Sequence, residues 1–214
     1  MSPKTPLSLL IAALLIPALG CEGPQAPSRT PVNDFGQLRR GLVFSWPEDR
    51  QPVRFWTEND GAPRRLLELG IQIWEAQFLY GEFRGEVVAD SSQADVLVEF
   101  VGPPLQDEPL TDDTPAIQAC SGVTAVPPIV SNQLTAPFSI RVNWGVAFDN
   151  QDTINCVARV TNHEIGHALG IFEESGNTDD LMFTTPLVRF PSRIDRNTVQ
   201  TLYHTTANIT PFER

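Results

Sequence analysis

The sequence predicts an α/β (α+β) fold: a mixed, mostly parallel, twisted sheet with one long helix on each side, closed by a short C-terminal helical subdomain. Three observations predict it. Strand and helix periodicities follow one another along residues 51–214 in the order strand, helix, several strands, helix, loop, helix. Neither an internal repeat nor a heptad pattern interrupts that order. The chain has 214 residues, 41% of them apolar, which suffices for one domain with a sizeable core plus a short extension.

Each element has its own warrant. Pro52-Val53-Arg54-Phe55-Trp56 alternates apolar and polar positions and reads as a short strand. From Pro63 to about Leu79, the residues Leu66, Leu67, Leu69, Ile73, Trp74 and Phe78 recur at a helical period, and Pro63 suits a first turn. Gly85 to Val88 is a second strand. Ala94 to Val101 (ADVLVEFV) alternates Val96, Val98 and Phe100 and is the clearest strand in the chain. Pro103 to Pro115 is acidic and proline-rich, hence loop. Gly122 to Val130 reads as an irregular edge strand, since Pro127 and Pro128 cannot donate to a ladder. Phe138 to Asn143 is another strand. Thr153 to Leu169 reads as a helix that Gly170 terminates. A last helix begins near Ser192, with Asp195 three positions on to complete its cap, and runs to about His204. The four tryptophans, Trp46, Trp56, Trp74 and Trp144, belong to the core or its rim.

Charge excludes two classes of partner. With 15 Lys+Arg against 26 Asp+Glu, the net charge of −11 leaves no basic footprint for nucleic acid, and it disfavours anionic lipid headgroups. The N-terminus is a different matter. Residues 1–20 read as a secretory signal peptide: Lys4, the apolar run LSLLIAALLI, then Ala18-Leu19-Gly20 at a cleavage site. That run is too short for a spanning helix, which needs about 20 residues. Pro17-Ala18-Leu19-Gly20-Cys21 resembles a bacterial lipobox, so Cys21 is the expected lipidated residue, and residues 21–50 form a proline-rich tether. The expected product is extracytoplasmic: a membrane-anchored bacterial lipoprotein, periplasmic or at the cell surface, or a secreted protein. With Cys21 acylated, Cys120 and Cys156 remain, and in an oxidising compartment a disulfide is the default expectation.

The chemistry concentrates in TNHEIGHALGIFEES, from Thr161. Two of the three histidines, His163 and His167, stand at i and i+4. On a helix that spacing puts both imidazoles on one face, one turn apart, where they can share a metal ion. Glu164 stands beside the first histidine, placed to reach a water on the metal without being a ligand. In an H-E-x-x-H site the histidines fix zinc, zinc acidifies water, and the carboxylate takes its proton.

His163-Glu164-Ile165-Gly166-His167-Ala168-Leu169-Gly170 resembles the zinc helix and glycine turn of the metzincin metallopeptidases, in particular matrixin-like bacterial members. Asp180-Leu181-Met182 is similar to the family's Met-turn, 12 residues beyond Gly170, and Met182 is the sole methionine after the initiator. Ser192-Arg193-Ile194-Asp195, Thr198 and Leu202-Tyr203 are similar to the family's closing helix. The resemblance covers most of residues 52–203 in element order and is strong from Asn162 to Met182. It implies a metzincin-like catalytic domain over residues 51–214, with an active-site helix and a backing helix against the sheet.

One departure matters. The family expects a third histidine after the glycine turn, and here there is none. The common spacing falls on Glu173. A variant one residue longer matches Ser175, Asn177 and Asp180-Leu181-Met182 and puts the third ligand on Glu174. Glu174 ranks first and Glu173 second, ahead of Asp179, Asp180 and His204. A His₂Glu set with an open position is a recognised catalytic arrangement for zinc. The expected protein is thus a Zn²⁺-dependent endopeptidase, a monomer acting on peptide or protein, with membrane contact only through a lipid anchor. Glu164 is its catalytic base. The alternative is a non-catalytic metal-binding surface lipoprotein that keeps the fold. Asp107 to Asp113 and Asp149 to Asp152 are weaker Ca²⁺ candidates, with solvated loop the stronger reading of both.

Overall fold

A computed structural model describes residues 41–106, 109–110, 120–145 and 150–212. The signal peptide, Cys21 and most of the tether lie outside the described residues, as do most of the Asp107 to Asp113 loop and Asp149.

The elements in chain order are β1 (Val53–Trp56), α1 (Ala62–Glu75), β2 (Gly85–Val87), β3 (Val96–Val101), β4 (Cys120–Ala125), β5 (Ile129–Val130), β6 (Gln133–Leu134), β7 (Phe138–Trp144), α2 (Asn150–Ala168) and α3 (Arg193–Tyr203). Five strands form one mixed sheet in the order β2-β1-β3-β7-β4, while β5 and β6 form a separate hairpin. The first four sheet strands pair in parallel, and β4 runs antiparallel to β7 along the edge. The region expected as one irregular edge strand is two pieces. β4 starts at Cys120 and is regular; Val126, Pro127 and Pro128 separate it from β5, because two consecutive residues without an N–H cannot extend a ladder. Helix α1 stops at Glu75, short of the expected Leu79, although Phe78 still packs into the core.

The two long helices do not flank the sheet. Registers Phe55↔Val96, Val96↔Phe138 and Val98↔Ile140 align the buried side chains of β1, β3 and β7 on one face. The opposite face carries the Arg141–Glu99 ion pair, with both side chains half exposed. It offers too little apolar surface to bury a helix. Both α1 and α2 therefore cover the same face and pack on each other. A Cβ on Gly70 would fall 2.6 Å from Asn162 Oδ1 and 2.7 Å from Ile165 Cδ1, so bare glycine permits the approach. Trp74, fully buried, donates from its indole nitrogen to the Asn162 carbonyl at 2.7 Å. The consequence for α2 is enclosure: every residue from Thr153 to Gly166 is buried, Asn155, Arg159, Asn162, His163 and Glu164 among them.

A Cys120–Cys156 disulfide ties the start of β4 to α2. Beyond α3, Ile209 bridges Phe44, a residue of the expected tether that is fully buried in the core, and Thr210 bridges Gln133 of β6. No helix of the described residues is long and apolar enough to cross a membrane.

Candidate metal centre

The site begins with the end of α2. At Gly170 the backbone turns with φ of +108°, a conformation L side chains rarely adopt, and a Cβ there would sit 2.4 Å from the Phe44 carbonyl oxygen. This turn brings the Ile171 carbonyl back to His167, whose Nδ1 meets it at 2.6 Å. The Nδ1 of His163 meets the Leu181 carbonyl at 2.8 Å. A carbonyl oxygen only accepts, so each ring carries its proton on Nδ1 and leaves a lone pair on Nε2. The two Nε2 atoms then face each other 3.0 Å apart.

Two facing lone pairs need a cation between them, and a proton is the poorer candidate. Burial lowers the pKa of His163. Burial, followed by the charge His163 would carry, pushes His167 down to about 4. A divalent ion fits the spacing: ligands about 2.0–2.1 Å from a tetrahedral centre stand about 3.3 Å apart. Glu174 adds an anionic oxygen, with Oε1 4.0 Å from His163 Nε2. The three ligand atoms of His163, His167 and Glu174 lie within 4.8 Å of one another, a His/His/Glu cluster capable of coordinating a metal ion. These donors suit Zn²⁺, which takes imidazole nitrogen and carboxylate oxygen together.

Glu164 stands next to that cluster, almost wholly buried. Burial raises its carboxyl to about 7; the Thr124 hydroxyl opposes the rise and the charge of Glu174 adds to it. An open cleft of about 510 Å³ exposes the group, lined by Gly122, Thr124, Glu164, His167, Phe172 and Glu174 among others. Glu173 also lines this cleft but stands outside the three-residue cluster. A larger cleft of about 640 Å³, walled by Trp46, Tyr80, Glu82 and Tyr203, holds none of these groups.

The other ranked ligands are placed elsewhere. His204 pairs with Glu82 at 2.8 Å. Asp179 is exposed, and Asp180 is buried, accepting from the hydroxyls of Ser175 at 2.5 Å and Ser192 at 2.7 Å. Asp180 thereby fixes the turn that carries Met182. Asp195 completes the arrangement: Oδ2 accepts from the Leu181 and Ser192 N–H groups, and Oδ1 from that of Met182. Met182, fully buried, lies under the helix where a Cβ on Gly166 would be 2.4 Å from its sulfur. The same turn anchors the segment bearing Glu174, because the Ser175 N–H donates to the Met182 carbonyl at 2.6 Å.

No protein-family model matches the chain, and no curated protein matches it. What the site does must be read from its own donors and acceptors.

Gly122 and Thr124, which the sequence shows only as part of an edge strand beside which a peptide could lie, both meet Glu164. Thr124 Oγ1 lies 2.6 Å from Glu164 Oε2, and Gly122 lies so close to Glu164 that a Cβ would fall 2.2 Å from Oε1. A signal for both existed. From Cys156 to Glu164 a helix rises about 12 Å, and from Cys120 to Thr124 a strand advances about 13 Å. A disulfide at one end of that pair of elements sets Thr124 near Glu164 at the other.

Proposed function

We propose that the protein is a zinc-dependent endopeptidase of metzincin type, acting outside the cytoplasm either secreted or anchored through a lipid on Cys21. The observation that carries this reading is the pair of facing Nε2 lone pairs with a buried carboxylate one residue away, at the mouth of a cleft. The disulfide is in keeping with an oxidising compartment.

His163, His167 and Glu174 would hold the ion. When bound, Zn²⁺ supplies Lewis acidity that lowers the pKa of water and polarises a carbonyl. The remaining chemistry belongs to the chain. Leu181 and Ile171 keep both imidazoles in the tautomer that presents Nε2. Glu164 accepts the proton of the attacking water and returns it to the leaving amine, as its place beside the ligands and on the wall of the cleft allows. The substrate is an extended peptide added to the free edge of β4, where Gly122, Val123 and Thr124 line the cleft. Met182 shapes the floor and exchanges no proton.

Replacing Glu164 by Gln tests the proposal on the zinc-loaded protein. Zinc content should stay at the wild-type level while cleavage of an unstructured protein substrate falls by about 10²-fold or more. Undiminished cleavage removes Glu164 from the mechanism. A wild-type protein that holds one zinc and cleaves nothing in a broad peptide library supports the non-catalytic binding protein instead.

A further inference from the structure

The inward face of β4 presents Cys120, Gly122 and Thr124 to α2, and each touches it differently. Cys120 is bonded to Cys156. Gly122 leaves the space that Glu164 Oε1 and Cγ occupy. Thr124 Oγ1 approaches both Glu164 Oε2, at 2.6 Å, and the Glu164 carbonyl, at 3.1 Å. A hydroxyl has one proton to give, and the shorter contact to the more strongly accepting carboxylate takes it.

We propose that Thr124 is a positioning residue for Glu164: its hydroxyl clamps Oε2 and so sets the carboxylate over Gly122, on the wall of the cleft. This rests on the peptidase reading, in which Glu164 is the base. A glutamate side chain has three rotatable bonds, and freezing it costs rotamer freedom. Rotation about the last bond turns the plane of the carboxylate, and a hydrogen bond to one oxygen fixes that plane. With the clamp the carboxylate is pre-set for proton transfer; without it the group samples orientations in which neither oxygen meets the water. The disulfide fixes the other end of the strand, so Thr124 is held at a set distance from α2 and does not drift with the edge.

The test compares Thr124→Val, which keeps the shape and removes the donor, with Thr124→Ser, which restores it. Two readouts are taken on the zinc-loaded protein. In steady-state peptide hydrolysis, Thr124→Val should lower kcat about tenfold with KM and zinc content unchanged, and Thr124→Ser should recover most of the loss. In protein labelled with carbon-13 at glutamate carboxyls, the Glu164 signal, identified by its disappearance in Glu164→Gln, should move in Thr124→Val and return in Thr124→Ser. A Glu164 signal that stays in place in Thr124→Val overturns the clamp, as does a kcat indistinguishable from wild type. If wild-type protein hydrolyses no peptide while the signal still moves, the peptidase reading fails and the Thr124–Glu164 clamp stands.

Discussion

His163 and His167 each commit one ring nitrogen to a main-chain carbonyl, and that commitment sets how the pair responds to acid. Their pKa values lie below that of a free imidazole, His167 at about 4, because burial disfavours the charged ring. A ring with a depressed pKa remains neutral, and so remains a ligand, at a pH where an ordinary histidine is protonated. Metal holding should therefore be fully present above about pH 6.5 and be lost as pH falls through the lowered range. Zinc release followed with a chromogenic chelator should be centred below pH 6; a midpoint at or above 6.5 contradicts the assignment. Glu164 acts in the opposite sense in the metal-free protein. Its carboxyl, raised from 4.5 to about 7, favours the protonated folded state. Its contribution to stability is therefore intact below pH 4.5 and declines as pH rises towards 7. Glu164→Gln should flatten that decline in denaturant unfolding of the zinc-free protein, and an unaltered pH dependence would show that the carboxyl is not raised.

At the scale of elements, the N-terminus of α3 and the Met182 turn behave as one piece. Ser192 caps α3 and donates to Asp180, while Asp195 closes the capping box and receives the N–H groups of Leu181 and Met182. Because the Leu181 carbonyl orients His163, Asp195 reaches the His/His/Glu cluster through a single residue. Asp195→Ala removes the buried carboxylate that accepts from three main-chain N–H groups, and those orphaned donors should cost about 2–4 kcal/mol in chemical denaturation. Zinc affinity should fall with it; wild-type affinity in this variant would separate α3 from the site. In the sequence the cap of α3 and the Met-turn motif are separate features, and nothing local shows that the hydroxyl of Ser192 reaches Asp180 or that Asp195 receives the N–H groups of that turn. Helix α2 was legible for its histidine spacing and Gly170, which are local signals. Its enclosure was not, because Asn155, Arg159 and Asn162 are polar residues buried by tertiary packing that no apolar period announces.

Across the whole molecule, the disulfide and the one-sided sheet decide how firmly the cleft is built. Cys120 and Cys156 close a loop with a sequence separation of 36, for which chain entropy gives about 3–4 kcal/mol of stabilisation. Cys120→Ala combined with Cys156→Ala should lower the stability of the zinc-loaded domain by that order in urea unfolding. A change under 1 kcal/mol would mean that β4 stays on α2 without its bridge. The strands of the main sheet were legible because their alternation is a property of a few neighbouring residues. The side on which the helices lie was not, because it depends on how Phe55, Val96 and Phe138 align across strands far apart in sequence. Gly70 is equally silent in the sequence, though it lets α1 close on α2 and so backs the helix that carries both histidines. If His163, His167 and Glu174 hold one metal ion between them, metal analysis of the purified protein will show it. The wild type should carry one equivalent of zinc, His167→Ala should carry none, and Glu174→Ala should lose zinc to a chelator that leaves Glu173→Ala loaded. Zinc content that is negligible in the wild type, or equal in all four proteins, would rule out a shared metal site.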